Sequence, residues 1–164
     1  MAVKRDDVDG RPTGAATIHV ERGPVTAFAR AVTDTNPVYE DQAVAAEAGF
    51  AAIPAPPTFT FAASAWGTFP EDQPEDPTGG QNPMAEIMGA LMADGGLILH
   101  GEQEFTYHRP VVVGDTLHHE GEVVDLYTKQ SGERTMTFLV VENRFTDDDG
   151  APVVTERFNL IHRS

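Results

Sequence analysis

The stretch "TFTFAASAW", residues 58–66, is apolar on every side of a helix and opens on a threonine suited to an N-cap. A helix without a polar face must be covered all round, and the sequence downstream supplies the cover. Residues 101–163 read as consecutive strands: "GEQEFTYHRPVV" (101–112, ending near Pro110), "TLHHEGEVVDLYTKQ" (116–130), "ERTMTFLVVENRFT" (133–146) and "APVVTERFNLIHR" (151–163). They are joined by "VGD" (113–115), "SG" (131–132) and "DDDG" (147–150), where glycine accepts positive φ at no steric cost. The run from Met136 to Val141 is apolar at alternate and intervening positions alike. That pattern predicts a central strand covered on both faces.

Upstream of the apolar helix the chain alternates helices with Pro/Gly-rich loops. "ATIHVE" (16–21) reads as a short strand. In "PVTAFARAVTD" (24–34), Val25, Phe28, Ala29 and Val32 recur at helical spacing, with Pro24 in the first turn. "EDQAVAAEAG" (40–49) is a short helix closed by Gly49. "NPMAEIMGALM" (82–92) carries Met84, Ile87, Met88, Leu91 and Met92 on one face. Helices followed by an antiparallel meander make an α+β domain. A long antiparallel sheet wrapped around one central buried helix, with an overhanging helical segment, is the outline of a hotdog fold. Residues 1–14 are expected to be a flexible N-terminus and residues 15–164 a single domain.

Composition narrows the function classes. The chain of 164 residues is long enough for one substantial core and short for two. Its net charge of −15, from 26 acidic and 11 basic residues, argues against nucleic acid, whose backbone requires clustered Lys and Arg. The acidic runs at 6–9, 71–76 and 147–149 read as solvated loops. No apolar run is long enough to span a bilayer, and "MAVKRDDVDGRP" lacks the apolar segment of a secretory signal. With no cysteine, disulfides and thiolate-bound zinc are excluded, and a cytoplasmic location is expected.

The chemistry rests on "TDTNPVYEDQAVAAEAGF" (33–50), "AIPAPPTFTF" (52–61) and "LHGEQEFTYHRPVVVGDTL" (99–117). Together these blocks resemble the MaoC-like (R)-specific hydratases and dehydratases, which have the hotdog fold. They look most like the subunits of (3R)-hydroxyacyl-ACP dehydratases and the N-terminal halves of double-hotdog relatives. In active members a D-x-N-P-x-H segment overhangs an acyl-thioester tunnel. Removing water from a β-hydroxyacyl thioester requires a base for the C2 proton and an acid for the departing hydroxyl. It also requires donors for the enolate-like thioester oxygen.

Asp34 matches the family's aspartate, and Asn36 and Pro37 its turn residues, but Tyr39 stands where the histidine belongs. A phenol is a poor resting base at neutral pH. Active members also present a glycine amide at the start of the buried helix, whereas here Pro56 and Pro57 lie nearby without an N–H. The resemblance therefore implies a substrate-binding half, with Pro57, Thr58, Phe59, Met88 and His108 joining Asn36 and Pro37 around the ligand. It implies an acyl-CoA or acyl-ACP thioester as ligand, no cofactor, and either a homodimer or a heterodimer with a catalytic hotdog paralogue on a separate polypeptide. Alternative functions are a self-sufficient hydratase, an acyl-CoA thioesterase, or a dimer that binds acyl thioesters without turnover.

Bland readings compete at several positions. "DTNP" is also a plain turn sequence, and a methionine stripe is often only core. His118 and His119 point to opposite faces of a strand, and His118 with Glu120 offers too few ligands for a metal site. Asp115 reads as turn chemistry and Trp66 as core.

Overall fold

Strands β1 (Pro12–His19), β2 (Leu97–Tyr107), β3 (Thr116–Ser131), β4 (Arg134–Thr146) and β5 (Pro152–Arg163) form one antiparallel sheet in the order β1-β3-β4-β5-β2. The computed structural model describes residues 4–63, 66–93 and 95–164. The chain leaves β1 at one edge of the sheet and re-enters it in β2 at the other, and the helices fill that one long connection. These are α1 (Arg22–Ala31), α2 (Gln42–Glu47), α3 (Phe59–Ala63) and α4 (Pro83–Met92). The arrangement is the hotdog fold.

The helices lie against one face of the sheet in two clusters. Val25 and Phe28 of α1 and Phe59 and Ala63 of α3 bury against Leu117, Phe145, Val153 and Val154. Ile87 and Met88 of α4 bury against Val123, Leu126, Leu139, Val141 and Phe158. Burying a side chain of this size stabilises by about 1.5–3 kcal/mol, so the two clusters hold the helices to the sheet without any disulfide.

Several expectations change in detail. Strand β2 starts at Leu97 rather than Gly101 and stops at Tyr107, short of Pro110, which cannot donate to a ladder. The N-terminal segment is not a loose tail over its described part. Val8 is 1% exposed within the α4 cluster, Gly10 donates to the Val123 carbonyl at 2.8 Å, and β1 already begins at Pro12. Val8 is the reason, since it is the only large apolar side chain between residues 4 and 11 and the α4 cluster takes it.

Helix α3 is shorter and less enclosed than its composition suggests. Phe59, Thr60 and Ala63 are buried, but Phe61 is 50% exposed, set edge-on to His100 and Phe158. Ser64 and Ala65 lie outside the described residues. Trp66 is 38% exposed rather than core, although it stacks on Phe59 and meets Phe28 edge-on. Strand β4 is central in the sheet, as its apolar run predicts, yet only its helix-facing residues are fully buried. On the outer face Phe138 stacks on Tyr127, with the Lys129 ammonium over both rings. Among the described residues no helix is long and apolar enough to cross a membrane.

Candidate active site

The segment after α1 is built from side chains bonding to their own backbone. Thr33 leaves the helix at φ +60°, a left-handed conformation rare for a β-branched residue. One Asp34 carboxylate oxygen (Oδ1) accepts the Asn36 N–H at 3.0 Å, and Asn36 Oδ1 accepts the Val38 N–H at 3.1 Å. Asn36 thereby caps a single 3-10 turn, Pro37–Tyr39, whose Val38 plugs into the core. Asp41 then caps α2 through the Ala43 and Val44 amides. The turn reading of "DTNP" is therefore correct at the level of local structure. It also fixes where Tyr39 points.

Tyr39 lines a cavity of about 380 Å³ between this segment and the start of α3. Apolar groups dominate the walls, with Val44, Phe50, Val111 and Phe59 around Asn36, Tyr39, Thr60 and Tyr107. Burial raises the Tyr39 phenol above its ordinary value, and the charge and hydrogen bond of Asp34 raise it further. A phenol so held keeps its proton at neutral pH, so it donates hydrogen bonds and does not abstract protons.

The start of α3 differs from what its prolines suggest. Pro56 and Pro57 line the cavity without N–H groups, but the next residue supplies one. Thr58 has φ +69°, the left-handed region that glycine favours, and its N–H donates to the Tyr107 phenolic oxygen at 2.9 Å. An amide is thus present at the helix start. The prolines therefore do not abolish the donor: it exists one residue later and is engaged by a phenol. Among the described residues the Thr58 hydroxyl makes no hydrogen bond, so the threonine does not act as a side-chain cap.

Of the residues expected around the ligand, Asn36, Tyr39, Pro57 and Phe59 come together in the cavity wall. Asp34 stands behind Tyr39, and Pro37 is exposed on the turn. Thr58 reaches the site through its backbone. Met88 packs in the α4 cluster, away from this cavity, and His108 is exposed beside the Thr155 hydroxyl at 3.1 Å. Tyr107, the neighbour of His108, is the residue that sequence reasoning missed. The available signal was strand alternation, which puts Phe105 and Tyr107 on one face, where their rings stack.

The remaining polar residues have structural partners. His118 pairs with Asp148 at 2.9 Å, while His119 turns to the opposite face and packs on Phe145. Asp115 accepts the Val112 N–H and pairs with Arg109 at 2.7 Å, and Asp147 approaches the same guanidinium at 3.6 Å.

Residues 8–156 match the family described as FAS1-like, dehydratase domain region. A UPF0336 protein of Parafrankia sp. (strain EAN1pec) is 32% identical, covering 99% of this chain and 96% of its own. A probable enoyl-CoA hydratase alpha subunit of Thermomonospora curvata is 29% identical over 82% of this chain, a match spanning 42% of the longer protein. In structure, a chain of the C-terminally truncated HadBC (3R-hydroxyacyl-ACP dehydratase) complex of Mycobacterium tuberculosis aligns with TM-score 0.67 and 22% identity. That alignment covers 94% of this chain and 97% of the other.

Proposed function

Since this chain belongs to the FAS1-like dehydratase domain family, we propose that it is the substrate-binding subunit of an (R)-3-hydroxyacyl-thioester dehydratase or enoyl-thioester hydratase. The observation that carries this reading is Tyr39, a protonated phenol in the cavity wall beside Asp34. The cavity accepts an acyl chain, and Asn36, Tyr39 and Tyr107 offer it hydrogen-bonding groups. None of them is a base strong enough at neutral pH to remove the C2 proton. The base then comes from a second hotdog subunit with an intact D-x-N-P-x-H segment.

Strand β2 supports the pairing. It is an edge strand of 11 residues with Leu97 and Leu99 exposed, and such an edge invites another strand. The electrostatics give no pull to an acidic carrier protein. The net charge is −15, and Arg109 near the site is already paired with Asp115 and Asp147. The reading places the protein in the cytoplasm.

The test is (R)-specific hydration of crotonyl-CoA by the purified chain, alone and mixed with a hotdog paralogue carrying D-x-N-P-x-H. The expected result is no turnover alone and higher turnover or longer-chain acceptance in the mixture. Turnover by the chain alone, abolished by Asp34→Asn, would replace this reading with a self-sufficient enzyme.

A further inference from the structure

A second cavity, of about 210 Å³, lies on the other side of Thr60, between α3, α4 and the sheet. Its apolar walls include Ile18, Met84, Val141 and Phe158. Its polar groups converge from five elements: Thr13 of β1, Thr60 of α3, His119 of β3, Asn143 of β4 and Glu156 of β5. Glu156 is 1% exposed and accepts from the Thr60 hydroxyl, and Asn143 stands beside both Glu156 and His119 in the same wall. The chain makes room for this cluster at Gly121, where a Cβ would meet Thr13 Oγ1 at 2.4 Å and Asn143 Oδ1 at 2.6 Å.

Packing alone does not account for these residues. Apolar side chains of similar volume would fill the same space at no desolvation cost, whereas a buried carboxyl and imidazole carry one. A pocket with mostly apolar walls and a few convergent polar groups is the form of a ligand subsite. Thr60 is also part of the wall of the larger cavity that holds Tyr39, so the two spaces adjoin across one side chain.

We propose that the second cavity is a distal subsite for acyl thioesters whose chain carries a neutral hydroxyl or carbonyl far from the thioester, recognised by Thr60, Glu156, Asn143 and His119. This deepens the proposed function and rests on it. A neutral group is specified because burial pushes the Glu156 carboxyl up, against the hydrogen bonds of Thr60 and Asn143. Burial likewise pushes the His119 imidazole down, against Asn143 and Glu120, so in both groups burial opposes the charged form. A carboxyl and an amide together offer a hydroxyl or carbonyl both donors and acceptors.

The experiment is titration calorimetry of the full chain with hexanoyl-, octanoyl- and decanoyl-CoA, each beside its ω-hydroxy and (ω−1)-oxo counterpart. At the chain length that reaches the subsite, the polar chain should bind roughly three- to tenfold tighter than the plain one, the worth of one or two net hydrogen bonds. Glu156→Gln, which stays neutral and polar, should keep most of that preference. Thr60→Val and Glu156→Leu should each erase it, and the Thr60 variant serves if the Glu156→Leu chain does not fold. Plain chains bound as tightly as polar ones at every length would overturn the subsite and leave the parent reading standing. Failure of any thioester to bind would overturn both.

Discussion

The phenolic oxygen of Tyr107 accepts the backbone N–H of Thr58 at 2.9 Å, so the amide that opens α3 is held by a side chain of β2. A thioester carbonyl entering the cavity meets an occupied donor. Its first available partner is the phenol's own O–H, which stays protonated because burial raises its pKa, aided by the charge of Glu156, against the Thr58 bond that lowers it. Tyr107→Phe swaps one donor for the other. The affinity for octanoyl-CoA should stay within about threefold, since the net worth of a hydrogen bond is about 1 kcal/mol and one replaces another. The Thr58 amide NMR resonance should move on acyl-CoA binding in the variant and stay nearly fixed in the parent. A loss of more than about tenfold in affinity would show that the phenol is the irreplaceable contact.

Thr58 holds its left-handed φ of +69° against the preference of a β-branched residue. A strained conformation of this kind costs about 1–3 kcal/mol, and glycine would relieve it while adding about 0.5–1 kcal/mol of unfolded-state entropy. The first effect wins. Thr58→Gly should raise stability by about 1 kcal/mol, or roughly 2–4 °C in Tm for a chain of this size. A lowered Tm by calorimetry would mean that the threonine methyl or hydroxyl makes a contact worth more than the strain.

The fold was legible because the signals were periodic and redundant. Four strands separated by glycine turns and one helix without a polar face admit few arrangements, and the match of "TDTNPVYEDQ" to a known loop narrowed them further. The parts that were not legible depend on neighbours distant in sequence. Nothing local to "PPTF" reveals that Thr58 takes a glycine-like φ, or that its amide meets Tyr107. Residues Met88 and His108 drew attention by type, yet strand direction and helix rotation put one in the core and the other on the exposed surface beside Thr155. Glu156 had an ordinary position in an ordinary strand, and only the approach of Thr60 and Asn143 from other elements makes it unusual.

Burial raises the Glu156 carboxyl above its unfolded value, despite hydrogen bonds from Thr60 and Asn143 that oppose the shift. The folded state therefore binds the proton more tightly than the unfolded one. Its contribution to stability is fully present below the unfolded pKa, near 4.3, and is lost as pH rises through the folded value. Glu156→Gln removes this titration. The difference in unfolding free energy between variant and parent should shift in the variant's favour as pH increases from about 4 to 8, whatever the other groups contribute. A difference independent of pH would show that Glu156 is not shifted in the folded state.

Asp34→Asn preserves the turn, because an asparagine Oδ1 can accept the Asn36 N–H as the carboxylate does. If the chain is a binding half, a reconstituted complex with a catalytic hotdog should keep its hydration rate within a few-fold. Losing an acid–base group would instead cost about a hundredfold or more. Rates measured at saturating enoyl-CoA, with complex formation checked by light scattering, decide between the two.

Tyr39→His restores the D-x-N-P-x-H spacing on a turn whose backbone amides are held by Asp34 and Asn36 rather than by the phenol, so the loop should fold unchanged. The new imidazole would stand beside Asp34, as Tyr39 does, and a neighbouring carboxylate both orients a histidine and raises its basicity. A positioned base contributes about 10²- to 10⁴-fold. The Tyr107 O–H serves the ground-state carbonyl, but the enolate-like oxygen needs a donor aimed where its charge develops, worth about 10²- to 10³-fold, and the Thr58 amide that would serve is engaged by Tyr107. The single variant should therefore hydrate crotonyl-CoA weakly or not at all. The double variant Tyr39→His with Tyr107→Phe frees the amide and should exceed the single variant by at least about tenfold. Neither base nor amide suffices without the other, so the two changes should multiply rather than add. Equal rates in the two variants, with both chains folded, would show that the Thr58 amide is not aimed at the thioester oxygen. Brisk turnover in Tyr39→His alone would show that Tyr107 does not obstruct it.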